Sequence, residues 1–108
     1  MAETQKVLGQ SSPAAGVLTA VYTAPAKAVV SSVTMCNRDS GEDTLVRLSV
    51  APSAAPDSAE QYIYYDLPLF AADTFIATVG ITLGIGDVVR GYSASGNVSF
   101  NLFGVEIT

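Results

Sequence analysis

Thr74-Phe75-Ile76-Ala77-Thr78-Val79-Gly80-Ile81-Thr82-Leu83, then Gly84-Ile85-Gly86-Asp87, then Val88 to Ala94, Ser95-Gly96-Asn97 and Val98 to Ile107 form one continuous pattern. Three runs of β-branched and aromatic residues alternate with short turns rich in Gly, Asp, Asn and Ser. Branched side chains are stiff at Cβ and pack well on a pleated surface. Glycine supplies the positive φ that tight turns require. No apolar stripe at helical spacing runs through the stretch, so it reads as three strands.

The same pattern continues upstream. Val17 to Tyr22, a turn around Pro25, and Ala28 to Asn37 come first, followed by the polar turn Arg38 to Asp43. Thr44 to Val50 alternates, with Val46, Leu48 and Val50 on one face and Leu45, Arg47 and Ser49 on the other. Pro52 to Glu60 is a loop with room for one helical turn at most. Gln61 to Leu67 sets Tyr62 and Tyr64 against Ile63 and Tyr65, and Pro68 is expected to end that strand because it cannot donate to a ladder. Val, Ile and Thr together number 27 of 108 residues. The expected fold is all-β: an antiparallel β-sandwich, jelly-roll-like, of seven to eight strands. Residues 1–16, small, polar and interrupted by Gly and Pro, are expected to be an extended N-terminal arm outside the core. Residues 17–108 would be the single domain.

Composition narrows the function. At 108 residues and 11.1 kDa the chain is one domain. Size scaling gives roughly 5,600 Å² of folded surface against about 16,000 Å² unfolded, a workable core without disulfides. Apolar residues make up 49% and charged residues 14%, mean hydropathy is +0.38, and the net charge of −5 gives a pI near 4.2. There is no His and one Cys. That excludes a His/Cys metal centre, a His-assisted nucleophile and an internal disulfide. Five scattered basic residues argue against nucleic acid as a partner. The segment 7–26 is uncharged but holds two Pro and two Gly, a poor membrane span. The acidic start does not read as a signal peptide. Cys36 is expected to be reduced and buried.

Candidate sites each have a plainer reading. Asp39, Glu42 and Asp43 would suit a Ca²⁺ loop but lack its spacing, and polar turns commonly look like this. Asp57 with Glu60, or Asp66 with Asp73, would be glycosidase pairs, with no Trp platform beside them. Gly84-Ile85-Gly86 lacks a phosphate-loop continuation and reads as a hairpin turn. Asn97-Val98-Ser99 is a sequon without secretory context. Tyr62, Tyr64 and Tyr65 would serve a sugar-binding or interface face, or simply core and rim. No cofactor and no catalytic set emerges, so the chain reads as no enzyme. Val29-Val30, Phe75-Ile76 and Phe100 to Phe103 are apolar on both faces, more than a sandwich strand with one wet face needs, which points to a partner subunit.

Several runs resemble a known group. Tyr22-Thr23-Ala24-Pro25-Ala26 before Val29 to Val33, Cys36-Asn37-Arg38, the run Tyr62 to Leu69, Asp73-Thr74-Phe75, Gly80 to Leu83, Gly86 to Val89 and the ending Val98 to Thr108 resemble small structural virion proteins of tailed bacteriophages. The resemblance covers about residues 17–108 and rests on packing and turn patterns. It implies a β-sandwich virion component without catalytic residues. Together with the low charge, it leads to the expectation of a capsid decoration (cement) protein, made in the host bacterial cytoplasm and located in the virion. Its partners would be itself, as a homotrimer, and the major capsid protein or other virion proteins. A neck, tail or fibre component is the alternative, and a host-glycan-binding module a further one. The candidate interface comprises Val7 and Leu8 of the arm with Tyr62, Tyr64, Phe100 and Phe103.

Overall fold

A computed structural model describes residues 2–108. Its strands are β1 (Glu3–Ser11), β2 (Thr19–Thr23), β3 (Lys27–Asn37), β4 (Thr44–Ala51), β5 (Tyr62–Leu69), β6 (Thr74–Leu83), β7 (Val88–Ser93) and β8 (Val98–Ile107). Short 3₁₀ turns at Pro52–Ala54 and Ala59–Gln61 bracket the long loop. The strands form two antiparallel four-stranded sheets, sheet A in the order β1-β8-β3-β6 and sheet B in the order β2-β7-β4-β5. The chain is a β-sandwich, and its order is that of a jelly roll. It is laid out like one long hairpin rolled on itself: β4 pairs with β5 at the tip, then β3 with β6, β2 with β7 and β1 with β8. Rolling then brings β8 beside β3 and β7 beside β4.

Alternation dictates the core. In β8, Val98, Phe100 and Leu102 point inward, and in β3, Val30, Val33 and Met35 do the same; all six are fully buried. Val46, Leu48 and Val89 answer them from sheet B. Gly91 exists to make room. A Cβ there would stand 3.0 Å from the Phe100 ring. The total surface is 5466 Å², close to the scaling expectation for a folded chain of this size. Asn37, the last residue of β3, is buried and pins three segments. Its Nδ2 donates to the carbonyls of Glu42 (2.9 Å), Leu69 (3.3 Å) and Phe70 (3.2 Å), and its Oδ1 accepts from the Asp39 amide (3.0 Å).

Five details differ from the sequence expectations. Residues 3–11 are a paired edge strand of sheet A rather than an arm outside the core, and Leu8 is buried. The strand is inconspicuous in sequence because it gives the core only this one large side chain. Pro68 lies inside β5, opposite Leu45, tolerated because β5 is the edge of sheet B and the missing N–H faces outward. The Gly84–Asp87 turn is no hairpin: β6 and β7 lie in different sheets, and the turn arches between them. Gly86 takes φ +88°, and Asp87 Oδ2 accepts the Gly84 amide at 2.8 Å. Ser49 is buried although it lies on the face away from Val46 and Leu48; the 52–61 loop packs against β4, and Gln61 is buried with it. Cys36 is only partly buried.

Candidate assembly surfaces

The register lets the outer face of sheet A be read row by row. Ser99 lies beside Cys36 and Thr74; the next row is Gln10, Asn101, Thr34 and Ile76; the next is Val7, Phe103, Ser32 and Thr78; the next is Gln5, Val105, Val29 and Thr82. All fifteen alternate with core residues and point away from sheet B. None is charged. Glu3, Ile107 and Lys27 make the end row, where charge reappears. A bond from Gln10 Nε2 to Asn101 Oδ1 (2.8 Å) ties the two amides across the edge. Partly polar yet uncharged, with Ile76 and Val7 exposed, this face is unlike the rest of the surface.

Charge is confined to the ends and to sheet B. At one end Glu106 accepts from Tyr22 Oη (2.6 Å) and from Lys6 Nζ (3.3 Å). These bonds hold the Glu106 carboxyl below its ordinary 4.5; burial, with the Glu106 contact second, pushes the Tyr22 phenol well above its usual value. A carboxyl whose pKa is lowered by folding stabilises the fold above its unfolded pKa, and loses that contribution as pH falls through the folded one. Tyr22→Phe is therefore expected to lower the Tm at neutral pH, with the gap to wild type narrowing as pH drops beneath 4.5. Thermal melts across that range check this, and a constant gap would remove Glu106 from the account.

On the outer side of sheet B, Arg47 Nε donates to Asp66 Oδ1 at 2.7 Å. Its guanidinium stands 4.1 Å from the Tyr65 ring centre and 4.3 Å from that of Tyr92. Tyr62 meets Tyr65 edge to face at 5.0 Å and donates to Asp57 Oδ2 at 3.1 Å. Arg47, Asp57, Tyr62 and Tyr65 line a shallow depression with Ser58 and Ala59. Its charged groups are already partnered within the chain, so the cluster reads as a brace across β4, β5 and β7.

The predicted interface residues are thus dispersed. Val7 and Phe103 are direct cross-strand neighbours on the outer face of sheet A. Leu8 and Phe100 belong to the core and face no neighbour. Tyr62 lies in the sheet B brace, whereas Tyr64 turns inward against the core and meets Phe75 edge to face at 5.3 Å. A register shift between Leu48 and Ser49 separates the two tyrosines that simple alternation puts together. The turn carboxylates serve the turns. Asp39 accepts the Gly41 amide, Asp43 the Ala71 amide, and Asp87 the Ser53 and Gly84 amides. Among the described residues no three His, Cys, Asp or Glu gather as a metal site, and no helix is long and apolar enough to cross a membrane.

No protein-family model matches the chain, and no curated protein matches it in sequence. Among solved structures, a chain in the capsid of Ralstonia phage GP4 is similar over 99% of this chain and 83% of its own, at 18% identity and a TM-score of 0.47. A pentameric capsid protein from metagenomic phage sequences is similar over 95% of this chain and 56% of its own, at 12% identity and a TM-score of 0.38. A second crystal structure of a pentameric capsid protein from such sequences gives 95% and 61%, at 9% identity and 0.33. These are loose likenesses. The chain spans less than two thirds of the latter two.

Proposed function

We propose that this chain is a structural, non-catalytic protein of a tailed-bacteriophage virion and, at finer grain, a decoration protein bound to the outer shell of the head. The virion setting rests on the resemblance of residues 17–108 to that group. The observation that carries the assembly role is the uncharged outer face of sheet A. On an ordinary solvated surface roughly 25–35% of residues are charged, which would place about four or five charges among those fifteen positions. A face without charge is cheap to desolvate, because no ion must leave water. Its amides and hydroxyls can still hydrogen-bond a neighbour, and its apolar members bury area. Contact with the major capsid protein, repeated over the shell, would add weak interactions into firm attachment.

Purified protein is expected to rebind particles stripped of it and to raise their melting temperature. Phe103→Asp, which puts a charge at the middle of the face, should abolish that rebinding while leaving the chain folded. Wild-type protein that neither binds nor stabilises the particles would overturn the decoration role. Copy number then separates head from tail: many copies per particle for decoration, few for a neck, tail or fibre part.

A further inference from the structure

A sheet has edges, and a free edge is a row of unpaired backbone N–H and C=O groups that another strand can take up. Of the four edges here, three carry devices that discourage this. β1 bears Glu3 and Lys6 and is shifted in register at Leu8. β2 is only five residues long. β5 contains Pro68, and Asp66 within it takes φ +53°. The remaining edge is β6. Its ten residues include no charge and no proline, and it pairs regularly with β3 from Thr74 to Thr78 before an irregularity at Val79 and Gly80. Ile76, at the centre of the regular stretch, is 66% exposed.

The regular stretch, Thr74-Phe75-Ile76-Ala77-Thr78, is complementary to itself. Laid antiparallel against a second copy about Ile76, each Thr74 meets a Thr78, the two Ile76 side chains meet each other, and each Phe75 meets an Ala77. Thr–Thr pairs hydrogen-bond across strands and β-branched pairs pack. The large ring opposite a small methyl avoids crowding on the core side. No like charges are brought together across the two-fold axis, where Ile76 alone meets its own counterpart.

We infer that β6 is the dimerisation edge of this protein, and that two copies join through residues 74–78 into one continuous eight-stranded sheet A. The contact gives the proposed assembly role its building unit and rests on that role only for its setting. It is isologous and two-fold, so it makes a dimer, in place of the trimer expected from the sequence.

Sedimentation of the purified full chain tests this. Wild type should be a reversible dimer. Ile76→Lys and Ile76→Glu should each raise the dimer Kd about tenfold or more, through like charges face to face and loss of the Ile76 pair. Both should keep the wild-type circular dichroism, since the side chain is exposed. Mixing the two variants should restore dimers, by pairing Lys with Glu. A wild-type monomer or trimer, a variant that stays dimeric, or a mixture that stays monomeric would each overturn the inference. Particle rebinding is read separately: a monomer that rebinds overturns the dimer alone, and a dimer that does not rebind overturns the decoration role alone.

Discussion

Removal of residues 2–11 is expected to leave a chain that no longer melts cooperatively. Those residues contain β1, whose eight register pairs cover one whole side of β8 from Phe100 to Ile107. Without it, that row of backbone groups in β8 is exposed, and Leu8 leaves the core. Truncating a single buried Leu to Ala costs about 2–5 kcal/mol, while a domain of this size has about 5–15 kcal/mol in total. Gly9 adds a second constraint. A Cβ at that position would run into the Val21 carbonyl, so β1 packs directly on the backbone of β2 and helps hold the two sheets together. Loss of the strand, its core residue and that close approach together should consume most of the stability. Thermal denaturation and a two-dimensional amide spectrum of the truncated chain read the result. A sharp transition within a few degrees of wild type would mean that β1 is dispensable and that the fold proper begins after it.

Phe100→Ala is expected to have the second largest effect, about 3–5 kcal/mol, because the ring is fully buried between the sheets. For a chain of this length that corresponds to a fall in Tm of roughly 12–20 °C. The partner of the ring makes the prediction specific. Gly91→Ala alone should destabilise, since its Cβ would press on the ring at 3.0 Å. In the Phe100→Ala background the same methyl group enters the vacated space, so Gly91→Ala should be neutral or mildly stabilising there. The double-mutant cycle therefore carries a large coupling term. Additive effects would show that Phe100 and Gly91 are not the matched pair the packing describes.

Much of this fold is legible in the sequence from residue 17 onward. β3, β4, β6, β7 and β8 lie within a residue or two of the runs read from β-branched content and turn residues. What one sequence does not state is which strand lies beside which. The pairings β1·β8 and β3·β8 join segments far apart in the chain, and only closure of the core selects them. β1 escapes notice because half of an edge strand faces water and its polar alternation resembles a linker. The candidate interface shows the same division between local and non-local information. Phe100 and Phe103 are three apart in a strand, so alternation alone places them on opposite faces, and only Phe103 was ever free to meet a neighbour. By contrast, Tyr62 and Tyr64 are two apart and separate only because a register shift intervenes, which no periodicity announces. The uncharged face of sheet A was signalled in part: the scarcity of charge is visible in the composition, but its concentration on one sheet needs the register.

The rolled-hairpin order also bears on how the protein is made. β1, made before the other seven strands of this fold, has as its partner β8, which is made after them. At about 5–20 residues per second, roughly 5–20 s separate their synthesis. Throughout that interval Leu8 and its neighbours have no sheet to join, and the edge that will shelter them does not yet exist. The tip, β4 with β5, closes early, and each outer pair waits for more chain. Closure of sheet A thus waits for the synthesis of β8, and until then β1 is left unpaired.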